Sequence, residues 1–133
     1  MREIKFRGKR LDNGEWVYGF VLFSQDKSEA VIAKLTDTES VCENVDLATI
    51  GQFTGLHDKN GKEIYEGDVI RSDCGNGEVR HLISFFDIIA SFVAEMLPDN
   101  DINDYCTLSQ AWILNYNKEV IGNIHDNPEL LNL

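Results

Sequence analysis

The sequence lacks most of the features that place a chain in a specialised class. Among its 133 residues there are only 2 prolines and no low-complexity run, so no segment has the composition of a disordered linker. No apolar run approaches the roughly 18 residues that a membrane-spanning helix needs. The first ten residues alternate charged and apolar side chains, which is unlike a signal peptide. We therefore expect a cytoplasmic protein that does not contact a membrane.

Cysteine is scarce, and the usual ligand motifs are missing. The cysteines are odd in number, far apart and without a CxxC pair, as expected of free thiols in a reducing compartment: Cys42, Cys74 and Cys106. The histidines are not spaced with them as local zinc ligands: His57, His81 and His125. Neither GxGxxG nor GxxxxGK[ST] occurs. We predict no cofactor, no metal site and no catalytic residue.

Basic residues are scarce beyond the first ten positions. The net charge is −11, yet the first ten residues carry five basic side chains against Glu3, and no basic residue lies between Arg80 and Lys118. An acidic body is a poor partner for nucleic acid, because neutralising phosphates normally supplies much of the affinity. We interpret the acidity as a solubility feature. The competing hypothesis is a decoy for a nucleic-acid-binding host protein.

The N-terminal third has the pattern of antiparallel strands. Residues 4–11 and 15–23 predict a hairpin closed by a turn at Asp12-Asn13-Gly14, with further strands at 30–35 and 41–45. Polar turns are predicted at 24–29 and 36–39, and a corner at 46–48. Residues 16–23 are apolar on both faces, which predicts a central, well-covered strand. Gly19 within it predicts a bulge or a close backbone approach.

Residues 51–70, GQFTGLHDKNGKEIYEGDVI, hold the densest run of turn chemistry. Asp58, Asn60 and Gly61 predict a type I turn, with Gly61 in the left-handed region, that closes a hairpin. Gly55 marks a bend. Gly67 falls where a type II turn before Asp68 needs positive φ. Short, sharply bent strands of this kind are typical of small β-barrels.

This stretch resembles the YopX family, whose members carry a run close to QYTGLKDKNGKEIYEGDIV. The departures are Phe53, His57 and the order of Val69 and Ile70. The opening MREIKFR and the closing VIGNIHDNPELL, residues 1–7 and 120–131, also look like the family's. The resemblance implies a β fold and a phage or prophage setting, but no established molecular function. For residues 82–97 the family pattern implies two strands, whereas the apolar spacing leaves a buried helix open.

The C-terminal part is predicted to end in a closing strand and a short capped helix. Residues 98–104 predict an acidic loop, 106–116 a short helix or turn that packs Trp112 on the core, and 118–124 the strand. Asn127 is predicted to cap a helix that begins at Pro128. The tail would present an apolar face that docks on its own body or on another subunit, which makes a homo-oligomer expected: Leu130, Leu131 and Leu133.

Together these patterns predict a mainly β fold. We expect a small SH3-like barrel built around residues 49–70, with an N-terminal β extension and a short C-terminal helix. Residues 1–133 would form a single domain, divisible into lobes at 1–48 and 49–133.

Three functions follow from these patterns. The first is a non-enzymatic phage or prophage accessory protein that binds a host or phage protein, on a strand edge or on a face with these residues: Lys5, Arg7, Lys9, Trp16 and Tyr18. The alternative is a nucleic-acid-binding module that uses the same basic strand. A second alternative is a hydrolase that uses Glu63, Glu66 or Asp68, against which stands the interpretation of these carboxylates as turn chemistry.

Overall fold

The computed structural model describes residues 2–35, 38–73, 75, 77–98 and 105–132. Cys74, Leu133, residues 36–37 of the predicted turn and residues 99–104 of the predicted acidic loop lie outside them. The strands in chain order are β1 (Phe6–Lys9), β2 (Trp16–Phe23), β3 (Ala30–Leu35), β4 (Ser40–Val45), β5 (Gly51–His57), β6 (Glu63–Tyr65), β7 (Asp68–Asp73), β8 (Glu78–Phe86), β9 (Ser91–Leu97), β10 (Tyr105–Thr107) and β11 (Glu119–Asn123). The helices are α1 (Gln110–Asn115) and two 3-10 helices, Leu47–Thr49 and Pro128–Leu131.

The chain forms two compact units, Met1–Phe53 and Thr54–Leu133, and the boundary between them falls within β5. No helix of the described residues has the length and apolar character needed to cross a membrane. The mainly β prediction is confirmed, since both units are built on antiparallel sheet.

In the first unit, neighbouring strands follow the order β4-β3-β2-β1-β5. The predicted hairpin of β1 and β2 is confirmed, and Gly14 at its turn has φ +72 and donates its N–H to the carbonyl of Arg10 at 2.9 Å. The core is a cluster of three buried side chains from β3 and β4, packed against half-buried neighbours: Ala30, Ile32 and Val45 with Phe6, Val17, Val21 and Ile50.

The prediction for β2 is correct in position and wrong in burial. β2 is central in its sheet, and Gly19 meets the predicted close approach, because a Cβ there would collide with the carbonyl oxygen of Ala33. However, Tyr18, Phe20 and Leu22 are 43%, 54% and 56% exposed. Side chains alternate along a strand, so Val17 and Val21 on the opposite face pack against the core while this row faces solvent.

In the second unit, the sheet order is β10-β9-β8-β7-β11. β8 and β9 confirm two strands for residues 82–97, and the helix alternative is wrong. The core joins all parts of the unit, including the predicted Trp112 of α1: Ile64, Ile70, Ile83, Ala94 and Ile113 with Leu56, Leu108, Trp112 and Val120. Among the described residues β10 and β11 end the sheet without pairing with each other, so the predicted SH3-like barrel is not confirmed.

The two predicted turns of residues 58–68 are formed as expected. Gly61 has φ +83 and donates its N–H to the carbonyl of Asp58 at 3.0 Å, as in a type I turn. Gly67 has φ +90, and the carboxylate of buried Asp68 accepts the N–H of Tyr65 at 2.8 Å. These turns separate β5, β6 and β7.

Asp58 does more than start its turn. One carboxylate oxygen accepts the N–H groups of Asn60 and Lys62 at 2.8 and 2.9 Å, and the other accepts the N–H of Val120 in β11 at 2.9 Å. Asp58 is buried, so its charge is stabilised by backbone donors from two distant parts of the unit.

The C-terminal tail folds back on its own unit. Asn127 precedes the 3-10 helix that Pro128 opens, but its side chain makes no cap hydrogen bond, so that part of the prediction is wrong. Instead its Oδ1 accepts the N–H of Asn123 at 3.3 Å, within the preceding turn. Leu130 packs against Gly122 of β11, where a Cβ would come within 2.8 Å of Leu130 Cδ1. Part of the tail's apolar face is therefore packed against its own unit.

We predict that Asp58→Asn lowers the free energy of unfolding by about 1–3 kcal/mol, because the amide nitrogen cannot accept one of the three backbone N–H groups. The measurement is the urea unfolding midpoint. Glu129→Gln, an equal charge change on an exposed side chain, should move it by less than about 0.5 kcal/mol. Equal shifts in the two variants would contradict the role given to Asp58.

Candidate functional site

The structure brings the five predicted interaction residues onto one face of the first unit. Arg7 lies opposite Tyr18 and Lys9 opposite Trp16 in the β1–β2 pair, and alternation places Lys5 on the same side as Arg7. The guanidinium carbon of Arg7 is 4.6 Å from the centre of the Trp16 ring, and Lys9 Nζ is 5.5 Å from it. Two cations thus lie within cation–π distance of one indole.

These cations do not form an open basic stripe. Arg7 is only 6% exposed, and Lys5 and Lys9 are half-buried. Lys5 Nζ lies 5.2 Å from the centre of the Phe53 ring and 3.5 Å from the carboxylate of Glu3. A phosphate would have to compete with these aromatic and acidic contacts for each cation. The geometry therefore gives little support to nucleic-acid binding by this strand.

An exposed apolar row continues from Tyr18 along β2. It consists of Tyr18, Phe20 and Leu22, and we call it the β2 row. In the β2–β3 pair, Phe20 and Leu22 lie opposite the small side chains of Ala33 and Val31, which leave much of their surface uncovered. The exposure of Phe20 and Leu22 differs from the prediction, because a strand that is apolar on both faces indicates a fully covered position.

A concave groove of about 730 Å³ lies beside this row, and we call it the β2 groove. Its apolar lining includes Ile4, Tyr18, Phe20, Ile32 and Val41. Its two carboxylates are engaged, since Glu3 lies 3.5 Å from Lys5 and Glu43 lies 3.4 Å from Arg10. Lys34 also lines the groove, is exposed, and makes no ion pair with any described residue. A volume of this size is typical of binding sites.

The carboxylates of the hydrolase alternative have structural contacts. Asp68 is buried and holds the N–H of Tyr65, while Glu63 Oε1 accepts the hydroxyl of Tyr65 at 3.2 Å. Glu66 lies in the turn between β6 and β7. The contact of Asp68 fits the interpretation as turn chemistry. Within the described ranges no three metal-ligating side chains cluster, and Cys42 and Cys106 are free thiols.

The second unit holds a buried polar cluster that the sequence analysis missed. Lys118 Nζ donates to Ser72 Oγ at 2.7 Å and lies 4.6 Å from the centre of the Trp112 ring. His81 meets the same ring edge-on at 5.2 Å. Only the pairing of β7 with β8 and β11 assembles these residues, so no local sequence signal marks them. We interpret the cluster as packing that fixes Trp112, since Lys118, Ser72 and His81 are all buried.

Burial and the nearby charge of Lys118 lower the pKa of His81 to about 4. In the unfolded chain the pKa of a histidine is about 6.5. Between these values the unfolded chain binds a proton that the folded chain does not, so acidification favours unfolding. Both ring nitrogens of His81 have no hydrogen-bond partner among the described residues, which adds to the cost of a histidine here.

We predict that the wild type loses up to about 3 kcal/mol of stability through His81 as the pH falls from about 6.5 to 4, in addition to what other groups contribute. His81→Phe keeps an aromatic ring and removes the titration, so its unfolding free energy should fall less over that interval. Urea unfolding of both proteins at a series of pH values measures the difference. Parallel curves would contradict the assigned pKa.

Comparisons with known proteins agree with the resemblance noted in the sequence. The family model described as YopX protein matches residues 5–132. The chain is also similar to the crystal structure of protein EF1440 from Enterococcus faecalis, with 29% sequence identity and a TM-score of 0.66, over 99% of this chain and 100% of that one. The comparison with curated proteins found no match.

Proposed function

The chain belongs to the YopX family, and from that premise we propose that it is a phage or prophage accessory protein that binds another protein through the β2 row. It would act in the cytoplasm of the bacterial host, without catalysis. The observation that supports the proposal is the β2 row itself, three large apolar side chains in succession that are each about half exposed. Contiguous exposed apolar surface beside a concavity is typical of protein interaction sites.

The surroundings of the row fit a protein partner. Tyr18 belongs to the row and Trp16 precedes it, and both residue types are enriched where interfaces draw most of their energy. Arg7 and Lys9 hold Trp16 in place, which reduces the entropy that binding would cost. The partner in this proposal is a host or phage protein with a complementary apolar surface.

We also keep the SH3-like barrel as a proposal for the second unit. Its five-stranded sheet and the sharp bend at Gly67 are typical of small barrels. An experimental structure in which the two ends of that sheet remain apart would refute it.

We predict that Phe20→Ser combined with Leu22→Ser lowers the capture of a protein partner at least about tenfold, because two half-exposed apolar side chains no longer contribute to the contact. The measurement is affinity capture of the tagged chain from host lysate with and without nuclease treatment, quantified by mass spectrometry. Leu114→Ser is the matched control, since Leu114 is equally exposed but lies on α1.

Two results would count against the proposal. A partner that the double variant retains would remove the β2 row from the function. Capture that disappears with nuclease in the wild type would favour nucleic acid, and its affinity should then fall steeply with salt and with Lys5→Glu.

A further inference from the structure

The turn between β8 and β9 presents apolar side chains where a turn normally presents polar ones. Ile88 is 99% exposed, and Ile89 beside it is about half exposed. We call Asp87, Ile88 and Ile89 the hairpin tip. Ile88 therefore contributes almost nothing to the core of its own unit, and together with the exposed half of Ile89 it offers adjacent apolar surface for a contact with another molecule.

Aromatic contacts and a backbone hydrogen bond order the strands that carry the hairpin tip. Phe85 and Phe92 pack edge to face across the two strands at 5.2 Å, and Phe86 packs against Tyr105 of β10 at 4.9 Å. The turn is closed by the N–H of Ile89, which donates to the carbonyl of Phe86 at 3.3 Å. A tip that is already ordered loses little conformational entropy when it enters a partner's groove.

The β2 groove is complementary to this tip. The groove has a mainly apolar lining, and the tip presents two exposed isoleucines in a turn between two strands. Lys34 in the groove and Asp87 in the tip are both exposed, and neither makes an ion pair with any residue in the described part of the chain. Residues 81–117 contain no lysine or arginine, so the neighbours of Asp87 along the chain supply no lysine or arginine to pair with it.

We infer that the protein bound at the β2 row is a second copy of this chain, whose hairpin tip enters the β2 groove so that Ile88 and Ile89 are buried and Asp87 meets Lys34. This inference rests on the proposed function, since it names the partner. The contact joins two different surfaces, so it is heterologous, and the rotation between copies decides whether it closes into a ring.

The charge of the chain gives the assembly a characteristic salt dependence. Each copy carries −11, so copies repel one another at low ionic strength. Added salt screens the repulsion between two net charges of −11 as well as the single attraction of Asp87 to Lys34, and it leaves the burial of the isoleucines in place. Association should therefore strengthen with salt, which is the opposite of the behaviour expected for phosphate binding by the basic strand.

The test is sedimentation equilibrium of the full-length chain and of two variants, Phe20→Asp in the groove and Ile88→Asp at the tip. The wild type should associate, and each variant alone should sediment as the 15.1 kDa monomer. An equimolar mixture of the two should form a heterodimer, because each supplies the surface that the other has lost, and it should not grow further. Leu114→Asp should associate as the wild type does.

A milder pair of variants separates loss of the contact from loss of the fold. Lys34→Asp and Asp87→Lys should each weaken association about tenfold or more, and their mixture should recover it through the swapped ion pair. A monomeric wild type at every concentration and salt, or association that survives in both Phe20→Asp and Ile88→Asp, would overturn the inference. If the wild type is monomeric but Phe20→Asp loses a captured host protein, only this inference fails and the proposed function stands.

Discussion

A buried negative charge organises the second unit. The carboxylate of Asp58 accepts three backbone N–H groups, two from its own turn and one from β11, which lies 62 positions further along the chain. A buried carboxylate without such donors would be very costly, so the hairpin and the closing strand must be in register for the charge to be tolerated. The same turn also lets Lys59 donate its N–H to the carbonyl of Lys118 at 3.0 Å, which places the buried lysine at its site.

Both units contain cations packed on aromatic rings, but the contacts differ in their surroundings. In the first, Arg7 and Lys9 lie over the ring of Trp16 beside the exposed row, with Arg7 buried and Lys9 half-buried. In the second, Lys118 is buried on Trp112 and supports only the core. Counting basic residues along the sequence does not separate these cases, because the difference is burial. It also explains why the basic N-terminal strand is a weaker argument for nucleic acid than its composition indicates.

Local rules predicted local structure well and burial poorly. Gly61, Gly67 and Asp68 follow from turn geometry, and the strands around them were predicted accordingly. The exposure of Phe20 and Leu22 did not follow, because a strand that is apolar on both faces has the same pattern whether or not a second layer covers it. The cluster at Lys118 depends on strands from three parts of the chain. The spacing of these residues along the sequence therefore does not indicate that they meet. The two isoleucines of the hairpin tip directly follow Asp87 in the sequence, but only the structure shows that they lie in the turn between β8 and β9.

The two tryptophans are distributed one to each unit, and each lies beneath a cation. Trp16 contacts Arg7 and Lys9 in the first unit, and Trp112 packs against the core of the second. The chain therefore carries a built-in pair of optical probes. With Trp16→Phe or Trp112→Phe, the fluorescence of the remaining indole follows one unit alone, so one can ask whether the two halves of β5 lose their order together or one after the other.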